Sequence, residues 1–273
     1  MNKYTKAGCV ALVTGAASGL GKGLADAYAA RGLQVVYADI NETGALAAAA
    51  GAGAVGGSCE GVKLDVADAA ACQALVDDIV ARKGRLDLLF NCAGFAMSGQ
   101  AQNITVEDWR RIVDVNLLGN VHCALAAYKQ MAIQGGGQIA SIASLAGLLP
   151  TPMSIPYATT KAGLVNFSHT LRCEGDGLGV QVSVICPSFI DTNIFENAQY
   201  REIDRQSLRS LIPLPFMTVD QAVRKMLAGV DANKATVVFP LHARLLWWGQ
   251  KLLPVMPNFV HRAVMKKVRG IRP

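Results

Sequence analysis

The chain has 273 residues, 52% hydrophobic and 17% charged, and its 26 basic and 20 acidic residues give a net charge of +6. A chain this long and apolar folds without disulfide or metal staples, and its low charge excludes intrinsic disorder. Its seven cysteines form no C-x-x-C pair, which excludes a secreted disulfide scaffold and a zinc ribbon and predicts buried thiols in a reducing, cytoplasmic setting. The polar start before Cys9 predicts no signal peptide, and no apolar run reaches the ~18 residues of a membrane span.

In chain order, short runs rich in Val, Ile and Leu alternate with longer amphipathic stretches. The runs at 9–13, 34–39, 62–65, 86–91, 138–143, 181–186 and 235–239 show no polar alternation, as strands covered on both faces should. The stretches at 20–30, 69–83, 106–134, 155–174 and 219–229 are read as helices, and the Ala/Gly-rich 47–57 as the end of another. This alternation predicts an α/β fold, a single Rossmann-type doubly wound parallel sheet of about seven strands. It occupies 1–240, and a helical basic extension follows over 241–273.

The first strand runs into Gly15-Ala16-Ala17-Ser18-Gly19-Leu20-Gly21 and then a helix. Glycines at this spacing permit a tight turn and let backbone N–H groups approach a pyrophosphate at the positive end of the helix dipole. Asp39 ends the second strand, 24 residues past Gly15. A carboxylate there accepts hydrogen bonds from ribose hydroxyls and repels a 2′-phosphate. Neither Ser18 nor Ile40 supplies a cation for such a phosphate, so NAD is expected over NADP. A methyltransferase cofactor also suits a glycine loop followed by an acid, so these features alone leave the reaction open.

Farther along, Asn116 sits inside the 106–134 stretch, where Asn is a mediocre helix former and a specific partner is expected. Ser144 follows the 138–143 strand, at the end of a parallel sheet where ligands bind, and can hold a reacting oxygen. Tyr157 and Lys161 stand four apart on one helix face. An ammonium beside a phenol favours the phenolate and brings its pKa down from ~10, as a general base needs. His122, His169, His242 and His261 form no ligand spacing, and no metal site is expected.

Together these motifs resemble the short-chain dehydrogenase/reductase family. The match comprises the 14–21 loop, Asp65-Val66, Asn91-Cys92-Ala93-Gly94, Asn116, Ser144, Tyr157/Lys161 and Pro187-Ser188, in family order over about 9–240. The resemblance implies that Tyr157 is the general acid/base, that Lys161 tunes it and holds the nicotinamide ribose, and that Ser144 orients the substrate oxygen. It also implies that Asn116 supports a water-linked proton relay. Asp65 and Val66 are expected at the adenine, and Asn91, Ala93 and Gly94 along the cofactor cleft. Further cofactor contacts are expected from Gly15, Ala17, Ser18, Gly19, Leu20, Gly21, Ile40, Pro187, Ile190 and Thr192. The chain departs from the frequent family pattern at Cys92, where Asn is common, and at Ser188, where Gly is common. The implied reaction is hydride transfer between NAD and a secondary alcohol or ketone. A cofactor-sensing binding protein without turnover is the alternative, which the intact Ser144/Tyr157/Lys161 set opposes.

Past Pro187 the chain is rich in Phe, Ile, Leu and Met. Together with Phe95, Met97, Leu148, Leu149 and Met153, and with Phe195, it predicts an apolar pocket for a steroid-, retinoid- or fatty-alcohol-like substrate, or alternatively a lid packed on the core. The last acid is Asp231. Residues 1–231 carry a net −2 and the remaining 42 carry +8. Leu241, Leu245, Trp248 and Leu252 make one stripe, so 241–273 is read either as an interfacial segment on an anionic membrane or as a subunit or lid contact. A homo-oligomer, dimer or tetramer, is expected from the family. Nucleic acid is not an expected partner, because the bases lack interleaved aromatics.

Overall fold

The computed structural model describes residues 2–53, 58–192, 194, 196, 198–203, 206, 215–252, 262 and 265–266. One parallel sheet comprises β1 (Val10–Thr14), β2 (Gln34–Asp39), β3 (Cys59–Lys63), β4 (Leu88–Asn91), β6 (Gly137–Ile142), β7 (Val180–Pro187) and β9 (Thr236–Phe239). Its order is β3-β2-β1-β4-β6-β7-β9. A second, two-stranded parallel sheet pairs β5 (Met97–Gly99) with β8 (Gln199–Arg201).

Among the described residues, the helices with described bounds are α1 (Gly19–Ala29), α2 (Glu42–Gly53), α3 (Ala69–Lys83), α4 (Val106–Val113), α5 (Gly119–Ile133), α6 (Ile155–Glu174), α7 (Val219–Asp231) and α8 (Leu241–Leu252). β1 is buried along its whole length, and its alternate side chains serve two cores. Ala11 and Val13 join Leu24 and Tyr28 of α1 and Met226 of α7. Val10 and Leu12 join Val76 of α3 and Ala127 of α5. A third cluster gathers Leu164 of α6, Val184, Val238 and Ala243 of α8. Helices on both faces explain why the strands read as unbroken apolar runs.

Local chemistry fixes the helix ends. The Asp68 carboxylate accepts from the Ala71 N–H, and Gly84, at φ +79°, closes α3 in the left-handed region. Reciprocal capping boxes start α4 at Thr105/Asp108 and α7 at Thr218/Gln221.

Three departures from expectation carry information. The 106–134 stretch is not one helix. A π-turn over Asp114–Leu118 separates α4 from α5. The third strand begins earlier than the 62–65 run, at Cys59, and is only partly buried. Gly61 within it is required by packing, since a Cβ there would lie 2.5 Å from the Leu46 Cα of α2. The β5/β8 sheet was not foreseen: each strand has three residues, too few for a periodic signal. Beyond Leu252, only residues 262, 265 and 266 of the extension are described.

Candidate active site

Because the large sheet is parallel, Thr14, Asp39, Asn91, Ile142 and Pro187 end their strands on one side. A cleft of about 660 Å³ opens there. Gly15 and Gly19 take φ of +67° and +55°. A Cβ on Gly15 would lie 2.9 Å from the Ala93 Cα, and one on Gly21 would lie 2.1 Å from the Gly15 carbonyl oxygen. Side chains at these points would fill the turn, so glycine keeps the backbone within reach of a ligand. The Thr14 hydroxyl accepts from the N–H groups of Cys92 (3.1 Å) and Ala93 (3.2 Å), tying this turn to the loop after β4. Ser18 precedes α1 without a side-chain capping bond. Bare glycine backbone, an uncommitted hydroxyl and a helix N-terminus suit the pyrophosphate of a dinucleotide.

Asp39 faces this cradle. Its Oδ2 accepts from the Ala17 N–H (3.0 Å) and its Oδ1 from the Asn41 N–H (2.9 Å). Gly15, Ser18, Gly19, Leu20 and Gly21 line the cleft with Asp39 and the exposed Ile40. Ala17 does not, its N–H being spent on Asp39. Asp65 and Val66 form the next stretch of wall, and the Asp65 Oδ1 accepts from the Ala67 N–H at 3.0 Å.

At the other end, Ser144 leaves β6 and its Oγ accepts from the Ala146 N–H at 3.1 Å. A 3-10 turn over Leu145–Gly147 presses this segment on α6. A Cβ on Gly147 would sit 2.6 Å from the Lys161 carbonyl oxygen, so glycine there lets Ser144 reach Tyr157. Lys161 is 5% exposed. Its Nζ donates to the Ile142 carbonyl at 2.7 Å and lies 5.7 Å from the Tyr157 ring centroid. Burial lowers the Lys161 ammonium to about 8. Burial also pushes the Tyr157 phenol above its ordinary value, while its hydrogen bond with Ser144 pulls it down. Desolvation is the larger influence on the phenol, and the Ser144 hydrogen bond favours the phenolate.

Asn116 finds its expected partner. Its Oδ1 accepts from the Phe95 N–H (3.0 Å) and its Nδ2 donates to the Phe95 carbonyl (2.8 Å). The π-turn aims this fully buried amide at the loop after β4.

The sequence pattern of a short chain dehydrogenase covers residues 9–202. The chain belongs to the short-chain dehydrogenase/reductase family. The D-threitol dehydrogenase of Mycolicibacterium smegmatis is 39% identical over 206 residues, which are 76% of this chain and 79% of that protein. The 3-oxoacyl-[acyl-carrier-protein] reductase FabG of Escherichia coli is 34% identical over 231 residues, 85% of this chain and 93% of that one. Among solved structures, a short-chain dehydrogenase/reductase from Burkholderia phymatum in complex with NAD superposes with a TM-score of 0.80 at 26% identity, covering 87% and 90% of the two chains.

Of the residues expected at a dehydrogenase/reductase site, Ala93, Gly94, Phe95, Ser144, Tyr157 and Lys161 line the cleft. So do Pro187, Ile190 and Thr192. Asn91 does not. It is buried, and its amide donates to the Asn120 carbonyl at 3.0 Å. Asn116 lies behind the wall, against Gly94 and bonded to the Phe95 backbone. Leu148 packs against the third core cluster. Met153 is buried at φ +69°, its carbonyl accepting from the Gly99 N–H, and lies off the cleft wall. Both were expected in the pocket from position alone, and each turns into packing. Phe195 lies outside the described residues.

Sequence reasoning missed Arg111, Thr151, Ser154 and Leu246, all of which line the cleft. Arg111 stands over the Phe95 ring at 5.5 Å, and its place one turn before Asn116 was the available signal. Ser154 sits 3.4 Å from Ser98 through their hydroxyls. Leu246 comes from the extension, and nothing in its local pattern distinguished it from its neighbours. The departure at Ser188 is accommodated by the His242 Nε2, 3.1 Å from its hydroxyl. Among the described residues no cluster of His, Cys, Asp or Glu could hold a metal.

Proposed function

We propose that this oxidoreductase interconverts a lipophilic secondary alcohol and the corresponding ketone, with NAD preferred over NADP. The observation that carries the reading is the meeting of Ser144, Tyr157 and Lys161 in one cleft with the glycine cradle. A bound nicotinamide ring supplies the carbon that takes or returns a hydride, and its oxidised form carries a positive charge that favours a nearby phenolate.

Within this reading the Gly15–Gly21 turn and the start of α1 hold the pyrophosphate, and Asp39 accepts from the adenosine ribose. Lys161 holds the second ribose and stabilises the anionic form of Tyr157. Ser144 donates to the substrate oxygen. In oxidation Tyr157 takes the hydroxyl proton, and in reduction it returns one to the carbonyl oxygen. Asn116 is a positioning residue that fixes the Phe95 backbone at the substrate end and supports the proton relay from Lys161. The preference for NAD rests on Asp39. Among the described residues, the Lys and Arg side chains lining the cleft are Lys161 and Arg111, which stand by Tyr157 and Phe95 rather than by Asp39.

The lipophilic substrate class rests on Phe95, Leu145, Leu149, Phe189 and Ile194, which surround the reacting end of the cleft. A homo-oligomer is inferred from the exposed Leu118, Leu125 and Ile133 on and beside α5, an uncovered helix face suited to a second copy.

The test is reduction of NAD and of NADP by hydroxysteroids, retinol, long-chain secondary alcohols and D-threitol. The reading predicts turnover on a lipophilic member with NAD favoured by roughly tenfold or more. Turnover confined to the polyol overturns the substrate class. Tight NADH binding without turnover on any alcohol or ketone favours the cofactor-sensing alternative.

A further inference from the structure

We infer that α8 is a docking surface for an anionic lipid bilayer, seated beside the mouth of the cleft. The helix presents large apolar side chains to solvent as well as to the core. Ala243 is fully buried and Trp247 packs against the third core cluster. Its solvent face carries Leu241 (68% exposed), Leu245 (64%), Trp248 (55%) and Leu252 (75%). These positions, at i, i+4, i+7 and i+11, lie on one stripe. Scattered exposed leucines need no explanation, but four large apolar side chains aligned on one twelve-residue helix do.

Charge selects the occupant. No acidic residue follows Asp231, while Arg244 and Lys251 belong to α8 itself and Arg262, Lys266, Lys267, Arg269 and Arg272 follow in sequence. The Arg244 Nε donates to the Val238 carbonyl at 2.7 Å, which holds its guanidinium at the base of the helix. The Lys251 ammonium lies 4.1 Å from the Trp247 ring centroid and 5.4 Å from that of Trp248. A lysine beside two tryptophan rings and an arginine at the helix base, flanking an apolar stripe, match the headgroup layer of an anionic membrane. A second copy of the chain would bring two such basic faces together, which like-charge repulsion opposes. The helix is also too short to cross a bilayer, and among the described residues no helix is long and apolar enough to do so, so the surface lies along the membrane.

Position gives the contact a use. Leu246, on the flank of the stripe, lines the cleft. A bilayer against α8 would therefore lie next to the opening through which an apolar molecule enters. The docking surface stands whether or not the proposed alcohol chemistry is right.

The experiment is flotation of the full chain with phosphatidylcholine vesicles and with vesicles containing phosphatidylglycerol, at low and high salt. The wild type should float with the anionic vesicles at low salt and much less at high salt, with its tryptophan emission quenched by brominated lipid. Leu245→Glu with Trp248→Glu should reduce the bound fraction roughly tenfold, with unchanged thermal melting and NADH affinity. Absence of flotation and of quenching with the wild type overturns the proposal. So does equal, salt-insensitive binding to both vesicle types, or an oligomer that the double variant dissociates while vesicle binding is absent. If the double variant does not fold, bromolipid quenching of the wild type alone decides.

Discussion

Replacing Lys161 by methionine separates what the buried ammonium does for chemistry from what it costs the fold. Lys161 is almost entirely enclosed, and burial lowers its pKa from 10.5 to about 8. At roughly 1.4 kcal/mol per tenfold change in proton affinity, the enclosed charge costs the folded state about 3 kcal/mol. The sign follows from the direction of the shift. Below about pH 8 both folded and unfolded chains carry the charge, and the cost is fully present. Between about 8 and the ordinary lysine value near 10.4, folding releases the proton, and the wild type gains stability as pH rises. Lys161→Met lacks this gain. Its stability relative to wild type should therefore fall by about 3 kcal/mol between pH 7 and pH 10.5, whatever offset the lost bond to the Ile142 carbonyl adds at every pH. Urea unfolding of the cofactor-free proteins across that range measures the gap. A gap that stays constant with pH would refute the claim that a charged lysine is held in a desolvated site.

Other outcomes follow from particular contacts. Asn116→Ala strands the Phe95 N–H and carbonyl and should cost about 2–4 kcal/mol in chemical denaturation, a loss that a merely exposed helical Asn would not show. Asp39→Ala removes the carboxylate that faces the cradle, and the NAD-over-NADP ratio of kcat/KM should fall roughly tenfold or more. An unchanged ratio would place discrimination elsewhere. Arg201 grips Asp108 through its Nε at 2.8 Å and its Nη2 at 2.5 Å, pinning β8 to α4. That grip holds the Asp108 carboxyl at about 2, so the pair stays ionised as pH falls toward 2 and parts only below it. Arg201→Ala should raise KM several-fold and cost about 1–2 kcal/mol, with kcat little changed, as steady-state kinetics and thermal melting would reveal.

Where the sequence was informative, local and tertiary demands agreed. The helix over 155–174 and the one over 69–83 appear at those bounds because apolar spacing, Pro156 near one start, the Asp68 cap and the terminal Gly84 all point the same way. Where it was not, a distant partner decided. Nothing in the periodicity of 106–134 announces the π-turn, because the turn exists to bring Asn116 to the Phe95 backbone. Asn91 was expected at the cofactor, yet α5 supplies it a carbonyl on the other side. Leu148 and Met153 follow Ser144 closely in sequence, but rotation of the 145–153 segment sends both into packing and leaves Leu149, Thr151 and Ser154 facing the cleft. The Ser144/Tyr157/Lys161 set was visible because its spacing is fixed by one helix turn and one strand end. The cleft wall was legible only in part: Phe95 and Leu149 line it as expected, whereas Arg111, Thr151, Ser154 and Leu246 come from separate stretches of chain with no shared local pattern.

The central claim is that the Tyr157 hydroxyl exchanges the proton with the substrate oxygen. Tyr157→Phe removes that one atom from the cleft and leaves the glycine cradle, Asp39 and Lys161 in place. With the alcohol found by the substrate panel, single-turnover NADH formation should fall roughly 10²–10⁴-fold, while NADH affinity measured by fluorescence stays within about threefold of wild type. A phenylalanine variant that forms NADH at near-normal rate would contradict the account.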